Sequence, residues 1–320
     1  MKNAAPAAMD IYSVLKRNKK EIKLFSDFDE VIKRFYAKRT IERLNNSTLL
    51  RIGDTEPWVI SSTRDVAAVK NNLGVDVVSI MQSELENEYR NVHENDVASL
   101  ADDWQMSAAD LVGINRTDIT EAVKVIQAVK NLAAKYDADG VSIACFNLLK
   151  SINTTACLAV SALNDDESLI GGCEGDVDSA LTLMLMKALT GKSGWIANPM
   201  IGPGDLLRLA HCTAPRYSNS YKYKLMRHHE SGIGVSNKIY MPSIERVTLT
   251  RLGNNLSSMN IFLGTTLETE SIETCRTQVL VKLDDFESYK EKVLGCHQVL
   301  TFGNYTNELK IVADMLKLDY

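Results

Sequence analysis

Three carboxylates, Glu174, Asp176 and Asp178, stand at alternate positions in the stretch 171–191, GGCEGDVDSALTLMLMKALTG. Apart from Ser179, Thr182 and Thr190, residues 179–190 are Ala, Leu, Met and Lys, all strong helix formers, and Gly191 stands where a helix ends in a left-handed cap. Asp176 or Asp178 can cap the start, because a short carboxylate accepts from the free N–H groups of the first turn and complements the helix dipole. One acid suffices for that. Glu174, between Cys173 and Gly175, is left with two readings: a metal ligand or general base where glycine lets the backbone come close to something else, or a solvated loop acid.

Few other residues can join it. Of five histidines, His93 lies in an acidic, exposed helix end, whereas His211 ends the apolar run LLRLAH and His297 begins HQVLTF. A histidine at a strand edge is either a satisfied structural residue or a ligand. His228, His229 and Glu230 form a second polar knot, in which adjacent strand residues face opposite ways and only one histidine lines a given site. Arg216 in APRY and Arg276 in CRTQ can hold a polyhydroxy or anionic ligand, or form surface ion pairs. Asn198-Pro199 and Gly202 to Asp205 read as a rigid, turn-rich loop.

The elements that must position these residues follow from hydrophobic patterning. Segments 47–53 (STLLRIG), 75–80 and 140–146 (GVSIACF) read as strands, alternating with helices over 82–90 and about 118–136, which predicts a parallel, three-layer α/β domain. After residue 190 the texture changes. Runs starting at Leu206, Val247, Met259, Gln278 and His297 alternate and are rich in β-branched residues, which predicts an antiparallel, barrel-like domain. Helices over 4–20 and 28–45 precede the first strand. The expected division is therefore a helical arm over 1–46, an α/β domain over 47–190 and a strand-rich domain over 191–320. Helices over 286–294 and 304–316 close the fold.

Composition bounds the function. The chain has 320 residues, 45% of them hydrophobic, and a formal net charge of −5 with no long basic block, which argues against nucleic acid as the main partner. Gly53 stands alone, without GxGxxG or a Walker sequence, so no nucleotide cofactor is expected. Six cysteines without a CxxC pair fit reduced thiols, and the opening MKNAAPAAMD lacks the apolar core of a signal peptide, so a cytoplasmic protein with no membrane contact is expected.

The order CEGDVDSALTLMLMKALTG, NPMIGPGDLLRLAHCTAP, HHESG, VTLTRLG, CRTQV, GCHQVLTFGN resembles the middle and C-terminal parts of the L-fucose isomerase and L-arabinose isomerase family, from about Ser47 onward. The resemblance implies aldose–ketose isomerisation of a small sugar through an enediol, with a divalent cation, Mn2+ or Mg2+, and a homo-oligomer. It implies that Glu174 is a metal ligand and general base, and that His297 and His211 are ligands, the latter as in the arabinose branch. Asn198 stands where the family has a second acidic ligand. Since an amide neither takes nor gives a proton at neutral pH, Asp205 or Asp176 is the candidate for the missing acid or base. Arg216, His229, Glu230 and Arg276 are the candidate substrate contacts. The resemblance also makes segment 1–46 the remnant of an α/β domain that the family carries before this point. The alternative function is a non-catalytic carbohydrate-binding or regulatory protein that kept the fold and lost the proton relay.

Overall fold

A computed structural model describes every residue except 1–3, 21, 26, 167, 193, 218 and 219. Helices α1 (Ala4–Arg17) and α2 (Phe28–Asn45) lead into β1 (Thr48–Ile52), α3 (Val66–Leu73), β2 (Asp76–Ile80), α4 (Gln82–Asn91) and α5 (Glu94–Ser107). There follow β3 (Asp110–Val112), α6 (Arg116–Lys135), β4 (Gly140–Ile143), α7 (Phe146–Ile152), α8 (Cys157–Asp165), β5 (Ile170–Cys173) and α9 (Val177–Thr190). The second half is mostly strand: β6 (Trp195–Gly202), β7 (Leu206–His211), β8 (Tyr223–Met226), β9 (Ser236–Ile239), β10 (Arg246–Gly253), β11 (Ser258–Leu267) and β12 (Thr277–Leu283). It closes with α10 (Phe286–Lys292), β13 (Gln298–Phe302) and α11 (Thr306–Leu316).

Strands β2-β1-β4-β5 form a parallel sheet, and β10-β11-β12-β7-β6-β13 close into an antiparallel barrel, the α/β-plus-barrel architecture that the patterning predicts. Strand alternation divides the core: Leu50 and Ile52 of β1 point into a cluster with Ile119, Val123 and Ile126 of α6 and Val160 and Leu163 of α8, while Leu49 points the other way, into a cluster built on α9. Helix α9 is apolar all round because it is covered all round, by β1, β4 and β5 on one side and β6, β10 and β13 of the barrel on the other. Asp176 is its N-cap, and Gly191, at φ 69°, is its left-handed C-cap.

The stretch 170–173 is a strand rather than the start of a glycine-rich turn. Glycine is required there by close packing: a Cβ on Gly171 would stand 2.9 Å from the backbone of Val160 in α8, and one on Gly172 would stand 2.9 Å from the Cβ of Ala180 in α9. The turn itself is only Glu174-Gly175, both left-handed, at φ 58° and 63°.

Three further features differ from the expected division. Strands β3, β8 and β9 form a third sheet, in which 110–112 pairs with 224–226 across the boundary placed at 190. Helix α2 is not a free arm, since Ala37 and Leu44 are buried in the cluster of α9 and α11, whereas α1 buries none of its residues. The loop at Asn198-Pro199 is part of β6. β13 pairs with β6 only at 195–197, so Pro199 lies where one edge of the strand is unpaired and its missing N–H breaks no ladder. Among the described residues, no helix is long and apolar enough to cross a membrane.

Candidate metal centre

The left-handed turn that carries Glu174 is held by its neighbours. Gly175 N–H donates to the Ile143 carbonyl at 2.9 Å, Glu56 N–H donates to the Glu174 carbonyl at 3.0 Å, and the Thr55 hydroxyl donates to the Gly175 carbonyl at 2.9 Å. A non-glycine residue at positive φ is strained by about 1 kcal/mol or more, and such strain persists only where the surroundings over-determine it. It aims the Glu174 side chain at the near ends of two barrel strands.

His211 ends β7 and His297 immediately precedes β13. The Nε2 atoms of both rings lie 3.6 Å from the same oxygen, Glu174 Oε1, and the rings are 5.5 Å apart, edge to face. The other oxygen, Oε2, accepts from Trp58 Nε1 at 2.6 Å. Each imidazole is oriented from behind: His297 Nδ1 is 2.8 Å from Asp176 Oδ2, and His211 Nδ1 is 2.9 Å from the Thr213 hydroxyl. Since Asp176 can only accept, His297 Nδ1 is the donor, and the lone pair of the neutral ring belongs to Nε2.

Asp176 thus has two jobs. It caps α9 through Ser179, and it takes a buried, two-point ion pair from Arg251 at 2.7 and 3.2 Å while holding His297. The Arg251 Nη1 also meets the Ser179 hydroxyl in a short contact.

Electrostatics follow. Burial alone would raise the Glu174 carboxyl, but the two imidazoles of His211 and His297 beside it outweigh burial and hold the group well below the usual carboxylate range. Burial alone would lower His297. The Asp176 carboxylate, then Cys296 and Glu174, push it well above its ordinary value. The side chains are nearly sealed, at 9%, 5% and 1% exposure for Glu174, His211 and His297.

These three residues can hold a metal ion, because one donor atom from each lies within 4.8 Å of the others. The fit rests on more than proximity: His297 Nε2 is buried without a hydrogen-bond partner among the described residues, although it faces a carboxylate. A cation between the three donors would satisfy that atom. Beside the triad opens a cavity of about 390 Å³ lined by Trp58, Phe146, Glu174, Asn198, Glu230, Cys296 and His297.

Of the residues singled out in the sequence, Glu174, His211 and His297 meet, and Asn198 and Glu230 share their cavity. Four do not join it. Asp205 is exposed at the tip of the β6–β7 hairpin, near Lys290, because the presumed loop is two paired strands that carry it away from Asn198. Arg216 is a structural residue, ion-paired with Asp103 at 2.8 Å and stacked on Trp104 at 3.9 Å. Arg276 Nε donates to the Arg227 carbonyl, and His229 faces Glu273 at 3.4 Å. Trp58, Phe146 and Cys296 were not singled out. Trp58 lies in the connection after β1 and Phe146 opens α7 just after β4, at the ends from which ligands are approached in a parallel sheet, and that position was the available signal.

No protein-family model matches the chain, and no curated protein matches it.

Proposed function

We propose that Glu174, His211 and His297, with Asn198 beside them, hold one divalent cation, and that the protein interconverts an aldose and a ketose in the adjoining cavity. One observation carries this reading: Glu174 Oε1 stands 3.6 Å from two imidazole nitrogens, one of them buried and unpartnered among the described residues, in residues whose order resembles that of the sugar isomerases. Two imidazoles among the donors favour a transition metal such as Mn2+ over Mg2+, which prefers an all-oxygen shell. When bound, such a cation polarises neighbouring hydroxyl and carbonyl oxygens of a sugar and lowers the pKa of the hydroxyl.

The chain's own residues divide the remaining work. Isomerisation moves a proton between adjacent carbons, which requires a carboxylate within reach of the substrate. Glu174 and Glu230 are the carboxylates on the cavity wall. Glu174, held ionised, is the cation's carboxylate ligand; Glu230 is the carboxylate that moves the proton, in the place that Asp205 cannot fill. Asn198 offers an amide oxygen and two N–H donors to hydroxyl groups. Trp58 and Phe146, whose rings lie 4.8 Å apart at 86°, give the C–H face of a sugar an apolar wall and exclude water.

Asn198 favours a second reading, a carbohydrate-binding protein without turnover. Incubation with pentoses and 6-deoxyhexoses in the presence of Mn2+ separates the two. The isomerase reading predicts ketose formation that falls at least about a hundredfold in Glu230→Gln, within the usual contribution of a general acid or base. Sugar-dependent thermal stabilisation without product, with turnover appearing in Asn198→Asp, would establish the second reading instead.

A further inference from the structure

Each residue of the triad is flanked in sequence by a cysteine: Cys173 precedes Glu174, Cys212 follows His211 and Cys296 precedes His297. Two of them have thiol partners: Cys212 meets Cys275, both buried, and Cys173 meets Cys145, the pair with a member partly open to solvent. The Sγ atoms of Cys145 and Cys173 lie 3.4 Å apart, with Cys173 buried and Cys145 partly open to solvent. Strands β4 and β5 bring them together, since Ile143 pairs with Cys173 and Cys145 follows two residues later.

We propose that Cys145 and Cys173 are a site of reversible oxidation by hydrogen peroxide, and that the disulfide they form disables the Glu174 centre; the second half of this inference rests on the metal-binding reading above. The chemistry balances in two steps. The solvent-accessible Cys145 thiolate attacks a peroxide oxygen, the O–O bond breaks, and a sulfenic acid forms with release of water once the leaving hydroxide is protonated. The Cys173 sulfur then attacks the sulfenic sulfur, the S–O bond breaks, and the Cys173 proton leaves with the oxygen as a second water. Two thiols are oxidised by two electrons and one peroxide is reduced to two waters.

The bond requires the sulfurs to close by about 1.3 Å, from contact to a disulfide length near 2.05 Å. The residues following the two cysteines cannot absorb that movement independently. Glu56 links them, its N–H donating to the Glu174 carbonyl at 3.0 Å and its carboxylate accepting from Phe146 N–H at 2.9 Å. Glu56 is itself buried, at 4% exposure. A shift at either cysteine therefore reaches Glu174, already in a strained conformation, and the aromatic wall formed by Phe146 and Trp58.

The test treats the whole reduced chain with hydrogen peroxide and reads three quantities. Non-reducing peptide mapping gives a 145–173 cross-link, Mn2+ affinity measured by calorimetry falls about tenfold or more, as when support of a ligand is lost, and dithiothreitol reverses both. Trp58 emission, isolated by difference from Trp58→Phe, changes in step because its indole donates to Glu174. Cys145→Ser retains Mn2+ binding and loses the response; Cys173→Ser does the same, which separates loss of the partner thiol from a folding defect at one position. Oxidation that produces sulfinic acid or other cross-links instead overturns the proposal, as does a 145–173 bond that leaves both Trp58 emission and Mn2+ affinity unchanged. Failure of the reduced protein to bind Mn2+ would remove the metal reading and with it the loss of metal affinity expected here, while the cross-link and the Trp58 signal still decide whether Cys145 and Cys173 are an oxidation site coupled to Glu174.

Discussion

Asp176 and Asp178 stand two residues apart in the first turn of one helix and have opposite electrostatic environments. Asp176 meets Arg251 and His297, which together outweigh its burial and keep it ionised. Asp178 is buried with one oxygen accepting from Thr63 N–H and the other unpartnered among the described residues; burial, reinforced by Asp176, outweighs Arg251 and raises it to about 6. Its folded value lies above the unfolded 3.8, so the folded chain binds the extra proton between those values, and the stability it contributes is present below pH 3.8 and lost as pH rises through about 6. Asp178→Asn, which imitates the protonated form, is predicted to match the parent near pH 4 and exceed it at pH 7 by roughly 1–3 kcal/mol in urea unfolding. Arg251→Met should act in the other direction at all pH values where Asp176 is ionised. It strands a buried carboxylate, a loss of roughly 3–5 kcal/mol on the same measurement. At this scale the sequence offered residue types without partners: a capping acid in 174–178 was legible, but not that the cap would be shared with an arginine 75 residues away that no local pattern connects to it.

The elements were legible where one physical signal dominated. Helix α9 combined high propensity with a cap at each end, and barrel strands such as β10 and β11 combined alternation with β-branched residues. Strand β5 was not legible, because IGGC carries two glycines, which have low strand propensity and here serve close packing on both faces. Likewise Pro199 reads locally as a loop residue, and only the short pairing of β13 with β6 explains its place in a strand. The packing reading of β5 makes a prediction. A methyl at Gly172 would meet Ala180, which has no flexible side chain to move, so Gly172→Ala should push α9 off the sheet, costing roughly 1–3 kcal/mol as overpacking does. Because α9 carries Asp176 and the turn before it carries Glu174, the same variant should bind Mn2+ more weakly than the parent, by calorimetry, whereas a mutant that merely lowered stability would bind normally at a temperature where it stays folded.

On the scale of the whole molecule, the site exists because the barrel closes against the parallel sheet through α9. Glu174 comes from the end of β5, His211 and His297 from the ends of β7 and of the segment before β13, and Trp58 from the connection after β1, so no stretch of sequence contains more than one wall. The order of motifs resembling sugar isomerases anticipated three residues that meet, whereas Asp205, taken as a stand-in for the acid that Asn198 replaces, lies at the tip of a hairpin. The central claim is that the meeting point of these elements is a metal centre. Calorimetric titration of the chelator-stripped protein with Mn2+ tests it most directly: one equivalent should bind, at least about a hundredfold more weakly in Glu174→Gln or His297→Ala while circular dichroism shows both folded. Absence of binding in the parent, or equal binding in parent and both variants, would contradict the account.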